Sequence, residues 1–164
     1  MLVRDRRRAS LAFVAGDLDP SASLNTLGGV GTFDAYTNTV IFASALNVSR
    51  LDLELYRVSL EQFVRMYGEN GYRYRSEFEP SAADRLREWS VRPNTPRNLR
   101  QLTKVELTDA TGAQLPPGIY LLRMTAPEVR DRYPEWDPNT YVFIRSGINL
   151  LLKQAEKETM VWAT

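Results

Sequence analysis

Apolar and polar side chains alternate most cleanly over Leu51 to Val58. Leu51, Leu53 and Leu55 fall on one face there, and Asp52, Glu54 and Tyr56 on the other. A period of two marks a strand with one face in a core and one in water. Just upstream, Thr39 to Leu46 is rich in β-branched and aromatic residues and predicts another strand. The two are expected to form a hairpin across the short connection Asn47-Val48-Ser49. A third run, Ile119 to Thr125, is bounded by Pro116-Pro117-Gly118 before it and Pro127 after it. Ile119 and Leu121 point to one side, and Tyr120, Leu122 and Met124 to the other. Apolar on both faces, this strand is expected at the centre of a sheet covered on both sides, with Arg123 needing an exit.

The remaining pattern adds short elements. Ser10 to Val14 is a strand candidate ahead of the turn at 16–20, and Gly28-Gly29-Val30-Gly31 reads as a flexible loop. That loop lacks the strand–glycines–helix frame with a lysine that phosphate binding requires. Ser59 can cap a helix with Gln62 reaching back, and Phe63, Val64, Met66 and Tyr67 supply its apolar stripe before Gly68. Residues 69–79 read as an exposed loop. Pro80 to Trp89 fits a short helix, and Leu86 to Val91 fits a strand equally well. Leu99 to Leu107 predicts a solvent-facing strand, with Lys104 and Glu106 opposite Val105 and Leu107. Asp109 to Gly112 is a turn, and residues 128–140 are a long polar loop. Tyr141 to Ile144, Ser146-Gly147 and Ile148 to Lys153 read as a hairpin. Gln154 to Glu158 is a polar turn, and Thr159 to Ala163 a last strand bearing Trp162 as a core or inter-module aromatic. Short strands at short spacing, with two helical interruptions, predict an all-β sandwich.

Composition narrows the chemistry. The chain has 164 residues and a net charge of +1, and it lacks both cysteine and histidine. Its length fits one domain that needs no metal or disulfide staple. The missing residues remove thiolate chemistry, Cys- and His-ligated metals and the commonest general base. A serine or threonine nucleophile would have no histidine to activate it. No apolar run is long enough to span a membrane as a helix, and Met1-Leu2-Val3 followed by charges lacks a signal-peptide core. Arg4, Arg6, Arg7 and Arg8 form a short basic run of the kind usually found in solvated tails. The other basic residues are scattered, which predicts no nucleic-acid partner.

A few residues invite chemical readings. Glu128, Asp131, Glu135 and Asp137 lie close together with Arg130 and Arg132 between them, as carboxylates for glycoside hydrolysis or as a salt-bridged loop. Asp131, Glu135, Asp137 and Asn139 alternate as calcium ligands can, outside any EF-hand frame. Trp89, Trp136, Tyr72 and Tyr74 are candidates for a sugar-stacking platform, set against packing for Trp89 and a loop for the tyrosines. Asn47-Val48-Ser49 is formally a glycosylation sequon, better read as a turn. None of these makes a catalytic constellation, so no catalytic, cofactor-binding or metal-binding residue is assigned.

Four segments in order resemble a macroglobulin (MG) domain of the bacterial alpha-2-macroglobulin family. They are NVSRLDLELYRVSLEQFVRM at 47–66, LPPGIYLLRMTAP at 115–127, YVFIRSGINLLLKQ at 141–154 and ETMVWAT at 158–164. The resemblance implies a seven-stranded antiparallel β-sandwich with one or two short helices inserted between strands. Residues 1–20 would be a linker or the trailing strand of a preceding module, and 21–164 the macroglobulin-like domain, ending at a module boundary. It further implies a non-catalytic structural module of a protease-trapping protein, periplasmic or at the cell surface, monomeric as a fragment and without cofactor. Its partners would be neighbouring MG domains and, through the whole parent, target proteases. The family's thioester sits in a Cys-Gly-Glu-Gln motif, which a chain without cysteine does not carry. The alternative is a carbohydrate- or ligand-binding sandwich using Trp136, Tyr133 and the carboxylates of 128–139.

Overall fold

A computed structural model describes residues 16–163, apart from 27, 95, 136–138, 149 and the side chain of 151. The strands are β1 (Ser21–Asn25), β2 (Val30–Asp34), β3 (Thr39–Leu46), β4 (Leu51–Val58), β5 (Arg85–Val91), β6 (Gln101–Leu107), β7 (Gly118–Thr125), β8 (Asn139–Ser146), β9 (Leu150–Gln154) and β10 (Thr159–Ala163). Three short helices join them: α1 (Leu60–Tyr67), α2 (Gly71–Glu77) and α3 (Pro127–Arg132). β1-β3-β6 form one sheet and β2-β8-β7-β4-β5 a second. β9 and β10 pair only with each other.

The two larger sheets pack face to face as a β-sandwich. Ala22, Ile41, Ala43, Ala45, Val105 and Leu107 from the first meet Leu51, Leu53, Leu55, Leu122, Met124 and Phe143 from the second. The central strand behaves as its pattern requires. β7 lies between β4 and β8, with Tyr120, Leu122 and Met124 in this core. Leu121, on its other face, joins Tyr56, Val58 and Val142 beneath α1 and α2, against Met66, Phe63, Tyr67, Tyr74 and Phe78. Part of the five-stranded sheet is therefore covered on both sides.

Several expectations change. The sandwich uses eight strands among the described residues, not seven. It is not wholly antiparallel, because β2 runs parallel to β8. β2 was hidden by Gly31 and by Gly28-Gly29 just ahead of it. Gly31 is needed there because a β-carbon at that position would overlap the Tyr141 hydroxyl. β3 and β4 are not a hairpin; they belong to opposite sheets. Asn47, at φ 51, turns the chain across the sandwich. Its side chain donates to the Leu18 carbonyl at 2.7 Å and to Asn98 Oδ1 at 2.8 Å. β8 and β9 are not a hairpin either; β9 pairs with β10 across the 155–158 turn, closed by Ala155 N–H donating to the Glu158 carbonyl.

Residues 69–79 hold α2 rather than an open loop, steadied by Arg73–Glu77 at 3.0 Å and by Tyr74 packed on Phe78. At 80–91 the strand reading holds: a 3-10 turn over Ala82–Asp84 leads into β5. α3 replaces the first part of the polar loop. Pro127 ends β7 but begins this helix at its first turn, where a missing N–H costs nothing. The capping box of α1 forms as expected: Gln62 N–H donates to Ser59 Oγ, and Ser59 N–H to Gln62 Oε1. Within the predicted α1 stripe, Val64 is exposed. The strand candidate Ser10 to Val14 and the basic run Arg4 to Arg8 lie outside the described residues.

Among the described residues, one charge is buried. Arg145, 1% exposed near the end of β8, pairs with no described carboxylate. Its guanidinium donates to the carbonyls of Leu115, Asp34, Ala35 (2.8 Å) and Thr37 (2.8 Å). It thereby ties the β2–β3 turn to the lead-in of β7.

Candidate functional site

A groove of about 910 Å³ opens at one end of β4, β5 and β7. Register places its polar side chains. Asp52 lies opposite Ser90 on β5 and Thr125 on β7; Glu54 lies opposite Glu88 and Arg123. This is the polar half of the β4 alternation, left bare where the helices α1 and α2 stop. The charges satisfy one another. Ser90 Oγ donates to Asp52 at 2.6 Å, and Arg50 pairs with Asp52 at 2.9 Å. Arg85 bridges Glu54 at 3.3 Å and Glu88 at 2.7 Å. Arg123 finds its exit at Glu79, 2.7 Å away, with its own side chain only 16% exposed and its Nε unpartnered. Burial, and then the Glu54 carboxylate, push the Tyr56 hydroxyl up from its ordinary value.

Such a surface can hold a partner by hydrogen bonds. Arg130 of α3 also lines the groove. The other residues singled out in the sequence are dispersed. Glu128 accepts from Ser49 N–H at 2.7 Å at the start of α3. Burial pushes its carboxyl up, and the hydrogen bonds from Ser49 outweigh this, leaving it below its ordinary value. Asp131 and Glu135 are exposed. Arg132 approaches Asp19 at 3.5 Å, and the Tyr133 hydroxyl donates to the same carboxylate at 3.0 Å. Asn139 is turned to β1, donating to the Ala22 carbonyl at 3.2 Å.

Among the described residues, no three acidic side chains gather as metal ligands would. Trp136 and Asp137 lie outside the described residues. Trp89 packs against the core under the Arg87 guanidinium, 4.4 Å from its ring centre. Tyr72 and Tyr74 sit on α2, so the structure does not unite them with Trp89. Asn47 is occupied in the turn described above. No described helix is long and apolar enough to cross a membrane.

Sequence reasoning missed two features. Arg145 shows no signal beyond a lone arginine in an apolar run. The β9–β10 ribbon does leave one: Leu150, Leu152, Met160, Val161 and Trp162 are all exposed, and they occupy both of its faces.

Two stacked sheets with the second covered on one side by short helices define the fold of a macroglobulin-like domain. In solved structures the likeness is to native alpha-2-macroglobulin from Escherichia coli. A fragment spanning domains MG0-NIE-MG1 superimposes with a TM-score of 0.66 over 92% of this chain, at 19% identity. A fragment spanning NIE-MG1 does so with a TM-score of 0.65 over 91%, at 21% identity. This chain spans 47% of the first fragment and 71% of the second. No protein-family model and no curated protein sequence matches it.

Proposed function

We propose that this chain is a non-catalytic structural and interaction module of a bacterial alpha-2-macroglobulin-like protein, one link in a series of modules. The observation that carries this reading is the likeness in fold to the E. coli protein over more than nine-tenths of the chain. The self-neutralised groove and the absence of cysteine and histidine agree with it. Protease trapping would belong to the whole parent, the thioester would lie in another part of it, and the parent would be periplasmic or cell-surface. Residues 1–20 would be the approach from a preceding module.

The test is the parent reading frame. It should carry an export signal upstream and a Cys-Gly-Glu-Gln motif downstream; a frame ending at Thr164 would overturn the reading. Purified, the chain should turn over esterase, glycosidase and protease substrates no faster than buffer does.

A further inference from the structure

The β9–β10 ribbon hydrogen-bonds to neither sheet of the sandwich. No described side chain of either strand belongs to a core cluster, and every described one from Leu150 to Ala163 is exposed. Its register sets Leu150 and Leu152 opposite Ala163 and Val161 on one face. The other face carries Met160 and Trp162, with Lys153. Exposure is 70% at Leu150, 63% at Leu152, 61% at Val161 and 59% at Trp162. With Ile148 and Met160, at roughly 150–200 Å² apiece, these side chains leave on the order of 600 Å² of largely apolar surface in water. Divided between the two faces, that is about 300 Å² on each, within the range of the largest patch on a typical monomer. A two-stranded hairpin is marginal alone, and one apolar on both faces needs cover on both.

The apolar run Ser10 to Val14 is a poor fit for that cover. The ribbon leaves the sandwich after Ser146, at the end where Arg145 pairs with Gly118. Residues 17–19 are bonded at the opposite end, to Asn47, Asn98 and Tyr133. The eight residues of β8 separate the two ends by about 25 Å. The apolar run Ser10 to Val14, fully extended, reaches only about 7–20 Å from Gly16. A second copy fits no better. An identical ribbon stacked on this one covers one face and leaves the other wet, and joined edge to edge it covers neither.

We propose that β9–β10 is the first pair of strands of a second β-sheet. An adjoining module of the parent protein completes it, adding strands to a ribbon edge and closing one apolar layer over Leu150, Leu152 and Val161 and a second over Met160 and Trp162. This rests on the reading of the chain as one link in a series. It moves the module boundary from residue 164 back to about Gly147.

The experiment is hydrogen exchange on the chain and on the intact parent protein, following the amides of 150–154 and 159–163. In the chain they should exchange rapidly at all concentrations, and in the parent about a hundredfold more slowly or better. Val161→Arg in the parent should abolish that protection. In the chain alone it should leave the protection of β7 unchanged, which separates docking from general misfolding. A parent with adjoining modules whose ribbon still exchanges freely overturns the inference and spares the module reading. A reading frame with no further module overturns both. Protection that rises with concentration in the chain alone, together with a dimer by analytical ultracentrifugation, makes a second copy the occupant and also overturns the inference.

Discussion

Replacing Arg145 by Met removes the side chain that joins β8 to the β2–β3 turn and to the lead-in of β7. The side chain is fully buried, and its donors serve the carbonyls of Leu115, Asp34, Ala35 and Thr37. Burying the guanidinium without a carboxylate costs desolvation, and the Met variant regains that term. It also strands carbonyls that folding has already withdrawn from water, at about 1–3 kcal/mol each where no water replaces the donor. Four carbonyls lose their donor and the regained desolvation offsets part of that, so the balance should be a loss of about 3–5 kcal/mol. With a urea slope of about 2 kcal/mol per molar, the unfolding midpoint should fall by about 1.5–2.5 M. Arg145→Lys keeps the charge but not the planar fork, so it should fall between Met and wild type. Hydrogen exchange supplies an independent readout: the Ala35 amide, which donates to the Ser146 carbonyl at 3.0 Å, should lose protection in both variants. If Arg145→Met unfolds within about 0.5 kcal/mol of wild type, the carbonyl cradle is not stabilising and the reasoning fails.

Leu122→Ala, in the main core, and Leu121→Ala, under α1 and α2, should each cost about 2–5 kcal/mol in urea unfolding. Val64→Ala, at a 57% exposed position, should cost under about 0.5 kcal/mol by the same measurement. Ser59→Ala should cost about 1 kcal/mol, because it removes the acceptor for Gln62 N–H. The pH profile should be flat between about pH 5 and 9, since the chain has no histidine. Hydrogen bonds from Arg97, Lys104 and Thr111 hold the carboxyls of Asp17, Glu106 and Asp109 below their ordinary values. Their stabilisation is present above about pH 4 and is lost as pH falls through the lowered values. Burial raises the hydroxyls of Tyr67, Tyr120 and Tyr141, so their contribution is complete below about pH 10 and is lost as pH rises beyond it. A step in the urea midpoint between pH 6 and 7 would contradict this assignment.

What was legible in the chain is what local periodicity controls. The bounds of β3 and β4 follow from their own side chains, and the capping box of α1 lies within four residues. Pairing was not legible. Thr39–Leu46 and Leu51–Val58 look like a hairpin because alternation reports a strand but not its neighbour. The crossing depends on the φ of Asn47 and its bonds to Leu18 and Asn98, residues far away in sequence. The same holds for Ser146-Gly147, where the chain leaves one sheet for another instead of doubling back. α2 was hidden because only Tyr74 supplies its buried contact, with Phe78 just past its end. The groove was half legible: Asp52 and Glu54 were placed on the outward face, while Glu79 and Arg123 meet only through the fold.

The parallel pairing of β2 with β8 sets a timetable for synthesis. β1 finds its partner β3 soon after both have been made. β2 must wait, because Val142, the partner of Val30, is added 112 residues later. At about 5–20 residues per second, that is roughly 5–20 seconds of translation. Through that interval Val30–Asp34 is an edge without a neighbour. Its glycine and aspartate lower its appetite for the wrong strand, and a more strand-prone sequence there would leave the nascent chain open to mispairing on the ribosome.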